Sequence, residues 1–119
     1  MSTQNRRRAP RQITCVPAGV ATAEKDRIGL IRDVSTVGAA VFSKSKYNVD
    51  DTLKLSICVD LDPANNLEVK GKVIRVERLL EGFWTFRLGV LFDPPREDLA
   101  PTFKALAERQ ERLFGSSPP

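Results

Sequence analysis

Between Leu53 and Leu61 apolar and polar residues alternate without a break. Leu53, Leu55, Ile57, Val59 and Leu61 stand against Lys54, Ser56, Cys58 and Asp60. A period of two belongs to a strand with one buried and one largely polar face. A second alternating run puts Trp84, Phe86, Leu88, Val90 and Phe92 against Thr85, Arg87 and Gly89. Such an aromatic stripe can serve as a base-stacking platform. Here it reads as core, because no positive charge is interleaved on that face. Between the two runs, Asp62 to Asn66 forms a turn and Leu67 to Val76 a further strand. Its apolar register moves from Leu67, Val69 and Val73 to Ile74 and Val76, and Gly71 is the candidate bulge.

The remaining chain supplies three further strands and one helix. Gln12 to Thr22 reads as a strand in which Ile13 and Cys15 alternate with polar neighbours, Pro17 and Gly19 suggesting an edge or a bulge. After a turn at Glu24-Lys25-Asp26, Arg27 to Arg32 reads as a strand with Ile28 and Leu30 on one face. Asp33 to Gly38 is a polar turn, and Ala39 to Ser43 a strand. Leu79 to Gly82 turns the chain before the last strand, which Asp93-Pro94-Pro95 ends. From Glu97 or Ala100 to Phe114 the residues Leu99, Phe103, Leu106, Leu113 and Phe114 recur at helical spacing, with Pro101 confined to the first turn and Gly115 as a stop. The sequence leaves open whether this helix covers the sheet or meets a partner helix. Consecutive hairpin-like strands and a terminal helix give a mostly β fold: a small six-stranded antiparallel β-barrel with a C-terminal α-helix. The expected organisation is a flexible basic arm over residues 1–11, the barrel and helix over 12–114, and a disordered tail over 115–119.

Charge is local in this chain. Of 119 residues, 19 are Lys or Arg and 15 are Asp or Glu, a formal net charge of +4. Arg6, Arg7, Arg8 and Arg11 account for the excess, so the body is neutral. Binding to an extended polyanion calls for basic residues spread along a face. A compact arginine cluster suits a compact anion, although a solvated tail or a non-specific nucleic-acid arm would share the composition. The chain has no histidine, which removes the commonest general base and metal ligand. Cys15 and Cys58 have no metal-like spacing and read as small buried or half-buried residues in a reducing compartment. No apolar stretch reaches membrane-spanning length, and no apolar segment follows the basic N-terminus as in a signal peptide. A cytoplasmic location without membrane insertion is the expectation.

Two polar clusters remain. Asp33, Ser35 and Gly38 stand at fixed offsets between apolar strands, an acid and a hydroxyl that can bond nearby amides and a glycine that can take positive φ. Taken alone, this is a tight β-turn. Arg6-Arg7-Arg8-Ala9-Pro10-Arg11 lies one strand upstream. An acid-hydroxyl-glycine turn facing arginines suits a ligand with both anionic and hydrogen-bonding edges. Arginine pairs bidentately with phosphate and with the guanine O6/N7 edge, and its plane stacks on bases. A carboxylate accepts from the guanine amide and amine, a function that a phosphate-only binder does not need.

With these residues the chain resembles the PilZ domain, a bacterial receptor module for cyclic di-GMP. Arg7-Arg8-Ala9-Pro10-Arg11 matches the family's Arg-x-x-x-Arg, and Asp33, Ser35 and Gly38 match its Asp/Asn-x-Ser-x-x-Gly. The strand segments Gly71-Lys72-Val73-Ile74-Arg75 and Leu88-Gly89-Val90-Leu91-Phe92 also fit, and the similarity runs from about Arg6 to Phe114. The resemblance implies Arg7 and Arg11 on guanine and phosphate, with Asp33 and Ser35 on a guanine edge and Gly38 allowing close backbone approach. Arg6, just before the motif, goes in similar proteins with two stacked ligand molecules per chain, and Arg8 lies within the cluster. Arg75 lies on a strand that passes near the site. No cofactor is implied. The expected function is non-catalytic: binding cyclic di-GMP and relaying the signal to a protein partner, as a monomer or weak homodimer.

Two other readings compete. A nucleic-acid-binding barrel with a basic arm predicts binding that collapses with salt and survives loss of Asp33. A ligand-independent interaction module predicts a stable fold without nucleotide response. An enzyme finds neither histidine, nor a recognisable carboxylate pair, nor metal spacing to work with.

Overall fold

Every inter-strand contact in the barrel is antiparallel, and the ladder closes on itself. The computed structural model describes residues 10–114. Its strands are β1 (Gln12–Ala21), β2 (Asp26–Val34), β3 (Gly38–Ser43), β4 (Thr52–Ile57), β5 (Leu67–Arg78) and β6 (Phe86–Phe92). They follow the order β1-β2-β3-β6-β5-β4, and β4 pairs back onto β1. A 3₁₀ turn (Glu97–Leu99) leads into helix α1 (Ala100–Phe114). The expected six-stranded antiparallel barrel with one terminal helix is therefore the observed fold.

Alternation fills the interior. Leu53, Leu55 and Ile57 of β4, Val69 and Val73 of β5, and Leu88 and Val90 of β6 are buried together with Val20, Ile31 and Val41. Helix α1 stands on this core: Phe103 and Leu106 are buried together with Leu99 of the preceding 3₁₀ turn, and the Phe103 ring lies 6.4 Å from that of Phe92. The Arg109 guanidinium donates to the Val59 carbonyl at 2.8 Å. This places the helix on its own barrel, the first of the two arrangements that the sequence left open. Tyr47 ties the β3–β4 loop to β1, its buried hydroxyl donating to the Val20 carbonyl at 2.9 Å. Burial raises the Tyr47 pKa above the usual 10.0.

Several register readings need correction. Ile28 and Leu30 do share a face, but it is the outer one: Ile28 is 70% exposed, while Gly29 and Ile31 point inward. The inner position of Gly29 shows no apolar side chain in the sequence because a Cβ there would meet the Phe42 carbonyl at 2.7 Å. On β1 the inward residues are Thr14, Ala18 and Val20, while Ile13 and Cys15 are exposed. Thr14 is acceptable inside because its hydroxyl donates to the Ile31 carbonyl at 2.9 Å. Cys58 is half-buried. β4 stops at Ile57; Val59 is half-buried, and Leu61 is 97% exposed beyond the last ladder pair. The β5 irregularity falls between Val73 and Arg75, and Gly71 is instead an inward glycine held against Val90 and Leu91. Trp84 precedes β6 and packs edge-on against Phe83, at a centroid separation of 5.0 Å. The buried part of the expected stripe is thus Leu88, Val90 and Phe92.

Candidate functional site

The turn between β2 and β3 is shorter than the sequence suggests, since Asp33 lies within β2 and Gly38 opens β3. Ser35 holds the turn. Its backbone N–H donates to the Gly38 carbonyl at 2.8 Å, and its Oγ accepts from the Val37 N–H at 3.2 Å. The residue is only 4% exposed. Gly38 does not take positive φ; Gly82 does, at 90°. Glycine is needed at position 38 for another reason, because an added Cβ would fall 2.3 Å from the Val90 carbonyl oxygen.

Asp33 faces outward on the barrel wall. It pairs across the ladder with Ile13 of β1 and Ala40 of β3, next to the irregularity in β2. Arg11 Nη1 donates to Asp33 Oδ1 at 2.7 Å. The Arg11 side chain is 60% exposed and that of Asp33 only 16%, so the arginine forms an open lid over a partly sheltered acid. A third charge, which the sequence reading left out of the site, joins from β6: Arg87 Nη2 lies 3.8 Å from Asp33 Oδ2. Arg87 also reaches Glu77 of β5, with Nη1 3.7 Å from Oε1. Its signal was visible in the alternation, which set Arg87 on the outer face of β6.

Between these charges the wall is low. Ala40 pairs with Gly89, and Gly89 with Arg75. A side chain at Gly89 would meet Arg75 Cβ at 3.4 Å and Nε at 3.8 Å, so the arginine lies beside that glycine. The row Asp33, Ala40, Gly89, Arg75 thus crosses four strands with an acid at one end, an arginine at the other and small residues between. Strands stand about 4.8 Å apart, which makes this row roughly 14 Å wide. A planar heterocycle fits such a floor, with hydrogen-bonding and charged groups at its rims. Of the sequence-predicted residues, the structure brings together Arg11 and Asp33, holds Ser35 and Gly38 in the adjoining turn, and sets Arg75 at the far rim. Arg6, Arg7 and Arg8 lie outside the described residues. Among the described residues no group of three or more Cys, Asp or Glu could hold a metal ion.

The comparisons with known proteins point the same way. The PilZ domain family matches residues 5–109. The chain is similar to the inhibitor of motility MotI/DgrA of Bacillus subtilis, with a TM-score of 0.62 and 16% identity over 91% of this chain and 50% of that one. It is similar to the PilZ domain of YcgR from Escherichia coli, solved with c-di-GMP, with a TM-score of 0.58 and 16% identity over 91% and 93% of the two chains. It is also similar to MrkH of K. pneumonia, solved as a c-di-GMP complex, with a TM-score of 0.55 and 16% identity over 90% and 50%. The chain therefore spans about half the length of MotI/DgrA and MrkH. Comparison with the curated proteins gave no match. At 16% identity the structural likeness establishes the fold, whereas the family match covers most of the chain: this protein belongs to the PilZ domain family.

Proposed function

We propose that the chain is a non-catalytic receptor for cyclic di-GMP, reading it with Arg11, Asp33 and the outer wall of the barrel. One observation carries the reading. Asp33 is a sheltered carboxylate flanked by Arg11 at 2.7 Å and Arg87 at 3.8 Å, beside a floor of Ala40 and Gly89. A bulk-anion site has no use for an acid at its centre. A guanine edge, which offers an amide N–H and an amine to a carboxylate, does. Family membership and the c-di-GMP bound to the PilZ domain of YcgR and to MrkH support the same ligand. Arg11 exchanges its partner on binding, moving from the Asp33 carboxylate to guanine and phosphate. Arg6, Arg7 and Arg8 complete the anion contacts, with Arg6 favouring two stacked ligand molecules. Ser35 and Gly38 keep Asp33 in place by fixing the turn. The N-terminal segment with its ligand then presents a new surface to a protein partner.

The test is calorimetric titration with cyclic di-GMP at two salt concentrations, on the parent and on Asp33→Ala. The parent binds with modest salt dependence, and Asp33→Ala loses at least tenfold in affinity, as expected when a charged acceptor is removed from a base edge. Binding that survives Asp33→Ala and collapses with salt would identify a non-specific polyanion arm instead. The same titration counts ligands per chain, and one per chain would refute the role given to Arg6.

A further inference from the structure

Arg87 and Glu77 lie outside both sequence motifs, yet they are linked to Asp33 in a continuous line of charges. Arg11, Asp33, Arg87 and Glu77 alternate in sign across the outer wall, one each from the N-terminal approach to β1, β2, β6 and β5. Arg87 is shared: one terminal nitrogen faces Asp33 at 3.8 Å, the other faces Glu77 at 3.7 Å. Cross-strand pairing fixes it there, because Arg87 is opposite both Phe42 and Glu77, one outward step along β6 from Gly89. Exposed ion pairs of this length add little to stability. A role for this pair in stability is therefore small, and its effect on Asp33 becomes the point of interest.

We infer that Arg87 is the positioning residue of the site, and that Glu77 tunes it by competition. This rests on the cyclic di-GMP reading given above. When Arg11 leaves Asp33 for the ligand, the acid loses its 2.7 Å partner while an anionic phosphate approaches. Arg87 is then the described cation still facing Asp33. It keeps the carboxylate aimed at the guanine edge, and it offsets the repulsion between the acid and the phosphates. Glu77 draws on the same guanidinium. A carboxylate at position 77 weakens the hold on Asp33, and a neutral residue there releases Arg87 to it.

The ordinary alternative is that Arg87 adds one more positive charge near an anion. Three measurements separate the two. The first is affinity for cyclic di-GMP and for its adenine analogue, on the parent and on Arg87→Gln. Both ligands carry the same phosphates, so a generic charge effect weakens both equally. A positioning effect acts through Asp33 and weakens the guanine ligand by about three- to tenfold more than the adenine ligand. The second is Arg87→Lys, which restores charge and reach and recovers most of the guanine preference. The third is Glu77→Gln, which tightens cyclic di-GMP binding by about two- to threefold in the parent and by clearly less in Arg87→Gln. Equal losses for the two dinucleotides, or a Glu77→Gln effect unchanged by Arg87→Gln, would overturn the inference while leaving the receptor reading intact. A parent that binds no cyclic di-GMP would overturn both. Unfolding midpoints of the variants within 1–2 °C of the parent rule out loss of fold as the cause.

Discussion

At the scale of single residues, the site and the scaffold make different demands on the same turn. Asp33 is replaceable at little structural cost: its side chain faces outward and its partners Arg11 and Arg87 are exposed or half-exposed. Gly38 is not replaceable, since any Cβ collides with the Val90 carbonyl. Gly38→Ala should therefore lower stability by about 2 kcal/mol or more, read by chemical denaturation, and should weaken ligand binding only in proportion to unfolding or turn displacement. Asp33→Ala should leave the denaturation midpoint almost unchanged while removing the ligand response. Tyr47 gives a pH signature. Its pKa is raised by burial, so the neutral phenol is the form the fold favours. That contribution is complete below the unfolded value near 10 and is lost as pH rises through the higher folded value. The parent should lose stability above about pH 10, and Tyr47→Phe should show a flatter alkaline limb together with a loss of about 1 kcal/mol at neutral pH from the missing bond to Val20.

At the scale of elements, legibility followed how much of each face was apolar. β4 and β6 could be read directly, because Leu53, Leu55 and Ile57, like Leu88, Val90 and Phe92, occupy successive inward positions. β1 and β2 misled because their inner faces carry Thr14 and Gly29, residues chosen for a hydroxyl bond and for close backbone approach rather than for hydrophobicity. Apolar Ile13, Ile28 and Leu30 on the outer face then dominated the pattern. The turn residues are legible in the sequence, but the reason for Gly38 is not, since the Val90 carbonyl of β6, distant along the chain, dictates it. Arg87 was placed on the correct face and missed as a site residue for the same reason: no local pattern tells that β6 lies one strand beyond β3 and within reach of β2. The helix was legible in its spacing, and its partner was settled by Phe103 meeting Phe92. Phe103→Ala should cost about 3–5 kcal/mol and expose the barrel end, measurable as a lower denaturant midpoint with increased dye binding. A helix serving mainly as a partner surface would instead leave stability nearly unchanged.

At the scale of the whole molecule, the proposed receptor sets the closed barrel wall against the N-terminal arginines as the part expected to engage the ligand. Amide exchange should slow on binding across the β2–β3 turn and the residues before β1, with little change in β4. Equal protection with and without ligand would argue against any ordering of the arm. Among the described residues no helix is long and apolar enough to cross a membrane. The closure of β4 onto β1 has one more consequence. Each of the six described strands has a neighbour on both sides, so none is an edge strand along its whole length, and the unpaired stretches are short: residues 12–16 of β1 and 74–78 of β5 on their β4-facing sides. Among the described residues, a protein that recognises its target by adding a strand finds only these short rows to extend. Under the proposed reading, a partner is expected to read mainly side chains, and those gathered around the nucleotide should change most. Under that reading, the message and the surface that carries it become the same object.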